Sequence, residues 1–426
     1  MPSGFRFPSL EAWLEWQQGF HPKAIDPGLD RIARVLSRTR WRRPAVPVIT
    51  VGGTNGKGSC VAIAESILRA GGYRVGSFTS PHLVDYRERI RLDGRIVSEM
   101  SLTVAFERIA DALGPDSLSY FEFNALAALL ILESFSPDLM ILEVGMGGRL
   151  DAVNVIDADV SVVTSIGLDH QNWLGEDIES IGREKAGIFR PRRPAVFGST
   201  VVPDSIVSEA RRIGSQLQIR GSDFDAVVRP DGTWDFIGRK DHLAALPLPG
   251  FGGRVQVDNA AAALAALFEL SERLPLEQSA IVNGLRAATL SGRFQRVEDL
   301  LGRQWILDVA HNPDAALVLA ENLASDPVQG RTIGICGFLA DKDAVATVRA
   351  VAHCFDEMIA VTTEGPRGLP AVALAEGGAG AGIEMSAGGS VGQAMRAARE
   401  RFTAGDRVVV FGSFHVVGPA LQWLQA

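Results

Sequence analysis

Cysteine is scarce in this sequence of 426 residues, which contains only three, at positions 60, 336 and 354. No two of them form a C-x-x-C pair, so nothing indicates a zinc ribbon or a disulfide framework, and the scarcity fits a reducing cytoplasm. The N-terminal stretch lacks the basic segment and apolar core of a signal peptide. No window holds 18 uninterrupted apolar residues, so we expect a cytoplasmic protein without a membrane span.

Basic charge is also in short supply. Lysine and arginine total 42 against 50 aspartates and glutamates, and the net charge is −8. A broad basic surface for nucleic acid is therefore absent. A protein this acidic that binds an anionic nucleotide must do so with local devices, such as loop amides and a metal ion.

The chain alternates apolar, β-branched runs with stretches of helical spacing. This alternation predicts an α/β fold with a mostly parallel sheet covered by helices on both faces. A second series of strands and helices begins late, so we place a boundary near residue 290 and expect domains at 1–290 and 291–426. The Gly- and Ala-rich stretch 375–390 is predicted to be a surface connection containing one short strand.

A glycine-rich turn, GGTNGKGS at 52–59, follows the first predicted strand. It departs from the usual phosphate loop, G-x-x-x-x-G-K-[ST], because its glycines stand one residue closer and Gly58 separates Lys57 from Ser59. Its glycines let backbone N–H groups approach an anion, Lys57 can reach terminal phosphates, and Ser59 can offer a hydroxyl to Mg²⁺. These features favour phosphate binding strongly over an incidental glycine-rich turn.

Two polar side chains stand at the ends of buried strands. Glu143 ends the strand DLMILEVG, and His170 follows the strand DVSVVTSIG. Both positions are where α/β enzymes place ligands, so a metal site near the phosphates is one interpretation. A capped strand end and an ordinary loop histidine are the plainer alternatives. Lys185, in SIGREKAGIF, reads by itself as a helix lysine that pairs with Glu184 or Glu179.

The late series offers two further candidates. In LDVAHNPDA, Asp308 and His311 follow a strand and precede a helix that begins at Pro313. A helix cap around Asn312 accounts for the asparagine but not for Asp308. The stretch GSFHVV, at 412–417, follows the last strand and is equally open to a structural and a functional interpretation.

Taken together, these stretches resemble the Mur ligase superfamily, and within it the folylpolyglutamate synthase branch. Nine motifs occur in the expected order along nearly the whole chain: GTNGKGS, TSPHL, LEVGMGGRLDAVN, VTSIGLDH, IGREKAGIFR, SGRFQ, DVAHNPDA, LADKD and GSFHVV. The stretches HPKAIDPGLDR, SLSYFEFNALAAL and EGPRGLP are similar to the bacterial bifunctional type, which combines dihydrofolate synthase and folylpolyglutamate synthase activities.

The resemblance implies an N-terminal domain like that of P-loop NTPases and a smaller, Rossmann-like C-terminal domain. It also implies roles for individual residues. The implied ATP contacts are Thr54, Asn55, Gly56, Lys57, Gly58, Ser59, Asn259, Arg293 and Asp308. The implied metal ligands are Ser59, Ser80, Glu143 and His170, for two Mg²⁺ sites, with room for a monovalent cation such as K⁺. The implied catalytic residues are Lys57, His170, Lys185, His311 and Ser413. The implied pterin contacts are Ile25, Asp26, Ser119, Tyr120, Phe121, Glu122, Leu150, Asp151 and Ala152.

Two of these implied roles involve particular chemistry. Lys185 resembles the family's carbamylated lysine, in which CO₂ converts a cation into an anion. Phe121 would stack on the flat pterin ring.

The function that the resemblance implies is ATP-dependent amide ligation. L-Glutamate would be added to dihydropteroate and to reduced folates through an acyl phosphate. A monofunctional folylpolyglutamate synthase is the nearest alternative, and a peptidoglycan precursor ligase is a more distant one that SPHL and GGRLDA disfavour. A switch GTPase lacks support because no N-K-x-D stretch is present. We expect small-molecule partners only, no nucleic acid, no membrane and a monomer.

Overall fold

The computed structural model describes residues 6–23, 25–299, 303–403 and 405–426. The chain forms two compact units. The first comprises Met1–Pro81, Arg87–Gly250 and Gln256–Ala288, and the second comprises His82–Tyr86, Phe251–Val255 and Thr289–Ala426. The short segment 82–86 lies far from the rest of its unit in sequence, but Leu83 packs into the core of that unit beside Val309 and Val417.

The first unit is built on an eight-stranded sheet with the order β4-β3-β2-β5-β1-β6-β7-β8. Its strands are β1 Val48–Gly52, β2 Val75–Phe78, β3 Ile90–Leu92, β4 Arg95–Ile96, β5 Leu139–Glu143, β6 Val160–Val163, β7 Pro194–Phe197 and β8 Gln216–Ile219. The six strands from β2 to β8 in this order are paired in parallel. Strands β3 and β4 add an antiparallel edge beside β2. Because β1, β5 and β6 are adjacent, their carboxyl ends meet at one edge of the sheet.

Helices connect these strands, as the alternating sequence pattern predicts. They are α1 Leu10–Phe20, α2 Asp30–Arg38, α3 Lys57–Ala70, α4 Glu99–Ala112, α5 Tyr120–Phe135, α6 Gln171–Leu174, α7 Ile178–Ala186, α8 Asp204–Ile213, α9 Gln256–Phe268 and α10 Gln278–Ala287. The start of α5 is determined by a capping box, in which Ser119 and Glu122 each bind the other's backbone N–H. Residues 122–132 of this helix are all buried, which explains its almost continuous apolar sequence.

A small antiparallel sheet was not predicted from the sequence. It consists of β9 Asp225–Val228, β10 Trp234–Ile237 and β11 His242–Leu246. Its strands are short, and only alternate residues such as Trp234 and Phe236 are buried. The Phe236 ring packs 5.3 Å from that of Phe268 at the end of α9, so tertiary contacts hold strands that local patterning hardly marks.

The second unit contains a six-stranded sheet with the order β12-β13-β17-β14-β15-β16, in which only β12 pairs antiparallel. Its strands are β12 Gln295–Glu298, β13 Gln304–Asp308, β14 Thr332–Cys336, β15 Glu357–Ala360, β16 Ser386–Ala387 and β17 Arg407–Phe411. Its helices are α11 Pro313–Ala324, α12 Ala344–Val351, α13 Ala371–Gly380, α14 Val391–Arg401 and α15 Phe414–Gln425. The predicted α/β class is confirmed.

One local prediction in this unit is right only in part, because the short strand expected within 375–390 is β16 but the residues before it differ from the prediction. The glycine-rich stretch 375–390 is not simply a surface connection, because its first six residues continue α13 to Gly380. Burial of Ala371, Leu374 and Gly378 stabilises the helix despite the helix-weakening glycines. Across the described ranges, no helix is both long and apolar enough to cross a membrane.

Candidate active site

The turn between β1 and α3 has the backbone conformation of an anion cradle. Gly53 and Gly56 adopt φ values of 141° and 88°, which L side chains rarely adopt. A Cβ at Gly53 would lie 1.9 Å from Oγ1 of Thr164, and one at Gly56 would lie 2.2 Å from Oδ1 of Asn259. The glycines are therefore required by space as well as by conformation. Asn259, predicted as a nucleotide contact, lies directly against this phosphate loop (53–59).

The turn after β6 holds the phosphate loop in place. Thr54 N donates to Ser165 O at 2.8 Å, and Asn55 N donates to Ser165 Oγ at 3.2 Å. The Thr164 hydroxyl in turn donates to Asn55 O at 2.6 Å. Because these bonds orient the loop's peptides, its remaining amides are positioned before any ligand arrives. Neither of these two supporting hydroxyls was recognised from the sequence.

Two lysines converge on one carbonyl oxygen of this loop. Lys57 Nζ donates to Gly53 O and to Thr54 O, each at 3.0 Å. Lys185 Nζ, from α7, donates to the same Gly53 O at 2.9 Å, and the residue is only 4% exposed. Lys185 is therefore buried against the phosphate loop, and is not the helix lysine paired with Glu184 or Glu179 that the sequence by itself indicated. Glu184 binds Arg149 instead, with 2.7 Å between Arg149 Nη2 and Glu184 Oε1.

Glu143 lies beside the phosphate loop because β5 pairs with β1, with Val51 opposite Glu143. Its carboxylate is 4% exposed and accepts a hydrogen bond from Ser80 N at 3.0 Å. Ser59 is buried in the first turn of α3. Burial, followed by the negative charge of Glu143, raises the pKa of the Cys60 thiol to about 12, so Cys60 stays protonated.

The oxygen donors at this edge fit a hard divalent cation. A carboxylate and two hydroxyls are the ligands that Mg²⁺ prefers, and Mg²⁺ usually keeps several waters or phosphate oxygens as well. Within the described parts of the chain, no group of three or more His, Cys, Asp or Glu side chains is arranged to hold a metal. The donor set therefore suits Mg²⁺ bound together with a phosphate rather than a metal bound by protein alone.

His170 lies at the start of the short helix α6, in the left-handed conformation with φ 53°. Its Nε2 is 3.9 Å from Asp169 Oδ2, and its backbone N–H donates to the other oxygen of the same carboxylate. A left-handed conformation at a non-glycine residue is uncommon and is enriched at functional sites. The role of His170 as a metal ligand stays a prediction.

Residues predicted to contact a pterin come together through an arginine that the sequence analysis quoted but assigned no role. Arg31 donates to Asp26 Oδ2 at 2.7 Å and to both carboxylate oxygens of Glu122 at 2.8 to 3.2 Å. Glu122 also accepts from Ser119 N at 2.7 Å. The segment before α2 and the first turn of α5 are thereby joined. The only signal for Arg31 was its place in HPKAIDPGLDR.

The loop after β5 carries further predicted acceptor residues. A Cβ at Gly145 would lie 2.4 Å from Cζ of Phe121, so the Phe121 ring lies against this backbone. Asp151 is buried and accepts from Met146 N and Val153 N. Desolvation raises the pKa of Asp151 to about 6, although these amides and the charge of Lys57 oppose the shift. The charge of Lys57 in the phosphate loop therefore acts on the carboxyl group of Asp151 in the loop after β5.

The other predicted acceptor residues have simpler surroundings. The Arg89 guanidinium carbon lies 5.8 Å from the ring centroid of Tyr120. Ala152 is buried in a 3-10 turn, whereas Ile25 and Leu150 are partly buried. These contacts do not distinguish a binding role from a packing role, so all four remain predictions.

In the second unit, Asp308 ends β13 and organises the chain around it. Its two carboxylate oxygens accept from Phe294 N at 2.8 Å and from Ala310 N at 2.9 Å. Desolvation raises the pKa of Asp308, and the charge of Arg293 opposes that shift. His311 Nδ1 lies 2.9 Å from Val309 O, which orients its ring.

Ser413 caps helix α15 after β17. Its hydroxyl accepts from His415 N at 3.2 Å, and the side chain is buried. The backbone at Gly412 has φ 116°, and a Cβ there would lie 2.3 Å from Gly337 O. Since β13 pairs with β17 up to Asp308 opposite Phe411, Ser413 and Asp308 follow neighbouring strand ends within this unit.

Comparison with known proteins identifies the family. Residues 292–414 match the model described as Mur ligase, glutamate ligase domain. The dihydrofolate synthase/folylpolyglutamate synthase of Escherichia coli is 44% identical over 418 residues, which cover 98% of this chain and 96% of that protein.

Solved structures agree with this assignment. Escherichia coli FolC in complex with DHPP and ADP superposes with a TM-score of 0.93 at 42% identity, covering 99% of each chain. The bifunctional folylpolyglutamate synthase/dihydrofolate synthase of Yersinia pestis, complexed with AMPPNP and Mn ion, gives 0.91 at 41% identity and covers 100% of each chain. The chain therefore belongs to the dihydrofolate synthase/folylpolyglutamate synthase family of ATP-dependent Mur-type ligases.

Proposed function

We propose that this protein adds L-glutamate to dihydropteroate and to reduced folates in an ATP-dependent amide ligation. The observation that carries the proposal is the phosphate loop, where Lys57 donates to Gly53 O and Thr54 O beside the buried carboxylate of Glu143. An enzyme that joins a carboxylate to ATP must neutralise much negative charge at one point. The ligands and names of the relatives described above support this assignment.

In this proposal the phosphate loop holds ATP. The amides of residues 56–59 face the phosphates at the N-terminus of α3, where the first N–H groups of a helix point out of its end. Lys57 neutralises the terminal phosphates, and Asn259 fixes the position of the turn at Gly56. In the second unit, Arg293 and Asp308 contact the nucleotide, while His311 and Ser413 assist catalysis.

We assign the divalent metal sites to Ser59, Ser80, Glu143 and His170. Bound there, Mg²⁺ would offset the charge of the phosphate oxygens that the incoming carboxylate must approach. A monovalent cation such as K⁺ belongs to the same proposal and is tested by replacing K⁺ with Na⁺ in the assay buffer.

Lys185 is proposed to carry a carbamate. Its neutral amine would attack CO₂, form an N–C bond and release a proton to water, leaving an anionic group. The nitrogen keeps one hydrogen, so the bond to Gly53 O is compatible with the modified side chain. Infrared or carbon-13 NMR detection of a carbamate in protein prepared with labelled bicarbonate tests this. Loss of the signal in K185R, with the signal retained in K240R, would assign it to Lys185.

The reaction then proceeds in two steps. A carboxylate oxygen of the acceptor attacks the γ-phosphorus of ATP, and the bond from that phosphorus to the bridging oxygen breaks. The products of this step are an acyl phosphate and ADP. The glutamate amine attacks the acyl carbon, inorganic phosphate departs, and the amine loses a proton. Lys57 and the amides of the phosphate loop hold the phosphoryl group in place through both steps.

The acceptor would lie against three stretches of the first unit. They are 25–26, 119–122 and 150–152, with the Phe121 ring stacked on the pterin. The bonds that join Asp26, Arg31 and Glu122 support a shared role for the first two stretches. The contact of Phe121 with Gly145 brings the third stretch close to the same ring.

Phosphate release tests the function directly. The purified protein is assayed with ATP, Mg²⁺ and L-glutamate, with either dihydropteroate or tetrahydrofolate as acceptor. We expect glutamate-dependent release with both acceptors. Release with tetrahydrofolate alone would indicate a monofunctional folylpolyglutamate synthase, and release with neither would refute the proposed substrates. Size-exclusion chromatography tests the predicted monomer.

A further inference from the structure

Arg31 makes more polar contacts than a simple ion pair requires. Its side chain is 19% exposed, and its Nε, Nη1 and Nη2 atoms all donate hydrogen bonds. Nη1 donates to the Asp26 carboxylate and Nη2 to the Asp26 backbone oxygen at 3.0 Å. Nε and Nη2 bind the Glu122 carboxylate in a fork. One rigid cation therefore joins the segment of Asp26 to Glu122, which lies 91 positions from Arg31 in sequence.

The Asp26 end of this cluster is itself fixed. Lys23 Nζ and His21 Nε2 each lie 3.2 Å from an oxygen of the Asp26 carboxylate. The other ring nitrogen of His21 is 2.8 Å from the hydroxyl of Ser117. The bonds from Arg31, then Lys23 and His21, lower the pKa of Asp26 to about 2. Asp26 is therefore an anion throughout the neutral range, and its contact with Arg31 persists there.

The Glu122 end determines where α5 begins. The Glu122 carboxylate accepts from Ser119 N at 2.7 Å and completes the capping box, and it also receives Arg31. Phe121, the proposed stacking ring, lies between these capping residues and contacts Gly145. A shift of the Glu122 carboxylate would therefore move the first turn of α5 and, with it, the Phe121 ring.

We propose that Arg31 is a positioning residue that sets the spacing between segment 25–26 and the first turn of α5, and thereby determines the affinity for the pterin end of the acceptor. This inference rests on the function proposed above. It extends that function because Arg31 would act through Asp26 and Glu122 on acceptor binding alone.

Acceptor length gives the proposal a specific consequence. Dihydropteroate ends at the carboxylate that reacts, so its ring contributes most of its binding contacts. A reduced folate carries at least one glutamate, whose carboxylates offer additional contacts. Loss of a well-formed ring site should therefore weaken dihydropteroate binding more than tetrahydrofolate binding.

A purely structural ion pair is the alternative. Loss of one partner of a partly buried pair destabilises the fold, because the other charge stays desolvated. Such an effect lowers the melting temperature and the active fraction. It reduces the apparent kcat with both acceptors and leaves KM unchanged. The ratio of the KM and kcat effects therefore distinguishes the two roles.

Arg34 provides a matched control on the same helix. It lies less than one turn beyond Arg31, and its guanidinium binds Asp116 with a shortest distance of 2.6 Å. We expect R31Q to raise KM for dihydropteroate at least about tenfold, since charge-assisted bonds are lost. KM for ATP and kcat should change by less than about threefold, and R34Q should leave all three constants near wild type.

Two further variants define the mechanism. R31K keeps the charge but not the fork, so KM should fall between those of wild type and R31Q. E122Q retains an oxygen for Ser119 N but loses the charge opposite Arg31. If Arg31 acts through Glu122, the KM increase in the R31Q/E122Q double variant should be well below the product of the single effects.

Equilibrium binding of dihydropteroate, followed by fluorescence, decides the proposal without turnover. R31Q that binds dihydropteroate as tightly as wild type would overturn it. Equal losses in R31Q and R34Q, or a fall in kcat and melting temperature with unchanged KM, would also overturn it. A wild-type protein that binds dihydropteroate but releases no phosphate would contradict the proposed function and leave the Arg31 result valid. If R31Q does not fold, the same binding measurement on E122Q decides.

Discussion

The phosphate loop and the proposed acceptor region (25–26, 119–122 and 150–152) belong to the same unit but differ in the kind of atoms that form them. The phosphate loop is mostly backbone: Gly53 and Gly56 bend it, and hydrogen bonds from its amides to Ser165 hold it. The acceptor region is mostly side chains, with Arg31 joining Asp26 to Glu122. A backbone site needs particular residues at consecutive positions, whereas a side-chain site can recruit residues from anywhere in the chain.

This difference has consequences for substitution. In the phosphate loop, a methyl group added at Gly53 or Gly56 would lie only 1.9 or 2.2 Å from a side-chain oxygen. In the acceptor region, a lost side chain leaves charged partners that can rearrange or recruit water. Changes to the phosphate loop should therefore impair ATP use with every acceptor, while changes to the acceptor region should depend on which acceptor is tested.

The largest expected effect comes from removing the charge of the phosphate loop. Lys57→Ala should reduce kcat about a hundredfold to a thousandfold with both acceptors, as loss of a strong electrostatic donor does. Phosphate release measures the change, and K240A, which removes an exposed lysine of the same unit, serves as the control. Turnover within about tenfold of wild type would show that Lys57 does not stabilise the transferring phosphoryl group. A loss confined to one acceptor would break the contrast between the two regions.

A second effect concerns Asp151, which lies in the loop after β5 that contacts Phe121. Desolvation raises its pKa from 3.8 to about 6 in the folded protein. Between these values the unfolded chain has released its proton while the folded chain keeps it, so stability falls as pH rises. The free energy of unfolding should fall by up to about 3 kcal/mol between pH of about 4 and 6, relative to Asp151→Asn.

Urea unfolding of wild type and D151N across this pH range measures the difference. D116N is the matched control, because hydrogen bonds from Arg34 and then Arg38 lower the pKa of Asp116 to about 2. The stability contributed by Asp116 is present above its unfolded pKa and is lost only as pH falls toward about 2. A constant difference between wild type and D151N from pH of about 4 to 6 would contradict a buried, proton-retaining Asp151.

The comparison also explains what could be predicted from the sequence. The strands that surround the phosphate loop are apolar and β-branched and lie on a buried sheet, so strands were predicted where β1, β5 and β6 lie, although the predicted stretch DVSVVTSIG extends past the end of β6 at Val163. The phosphate loop was recognised because four glycines, a lysine and a serine lie close together in the sequence, directly after a predicted strand. The α/β class followed from alternation alone, and the family from motifs in a fixed order.

What was missed depends on contacts between distant segments. Arg31 has no local pattern that separates it from Arg34, since both are arginines on the polar side of α2, and only the fold brings Arg31 to Glu122. Lys185 was interpreted as a helix lysine paired with Glu184 or Glu179, because its burial against Gly53 O depends on tertiary contacts that the local sequence does not show. The helix continues through the glycines of 375–380 because tertiary packing outweighs their low helix propensity. The local sequence shows the propensity but not the packing.

The smallest expected effect separates the steric contact of Gly56 with Asn259 from the strain of a left-handed backbone. Gly56 and Gly72 flank α3 and have nearly equal φ values of 88° and 86°. A Cβ at Gly56 would lie 2.2 Å from Oδ1 of Asn259. A Cβ at Gly72 would have no atom within 4 Å. Gly→Ala should cost each variant about 1–2 kcal/mol of stability from the left-handed conformation. Only G56A should also raise KM for ATP, by about tenfold, because Asn259 and the first amides of α3 must shift. Melting curves and ATP titrations with both acceptors measure the two effects, and an equal rise in KM for ATP in G72A would show that strain, not the contact with Asn259, sets the affinity.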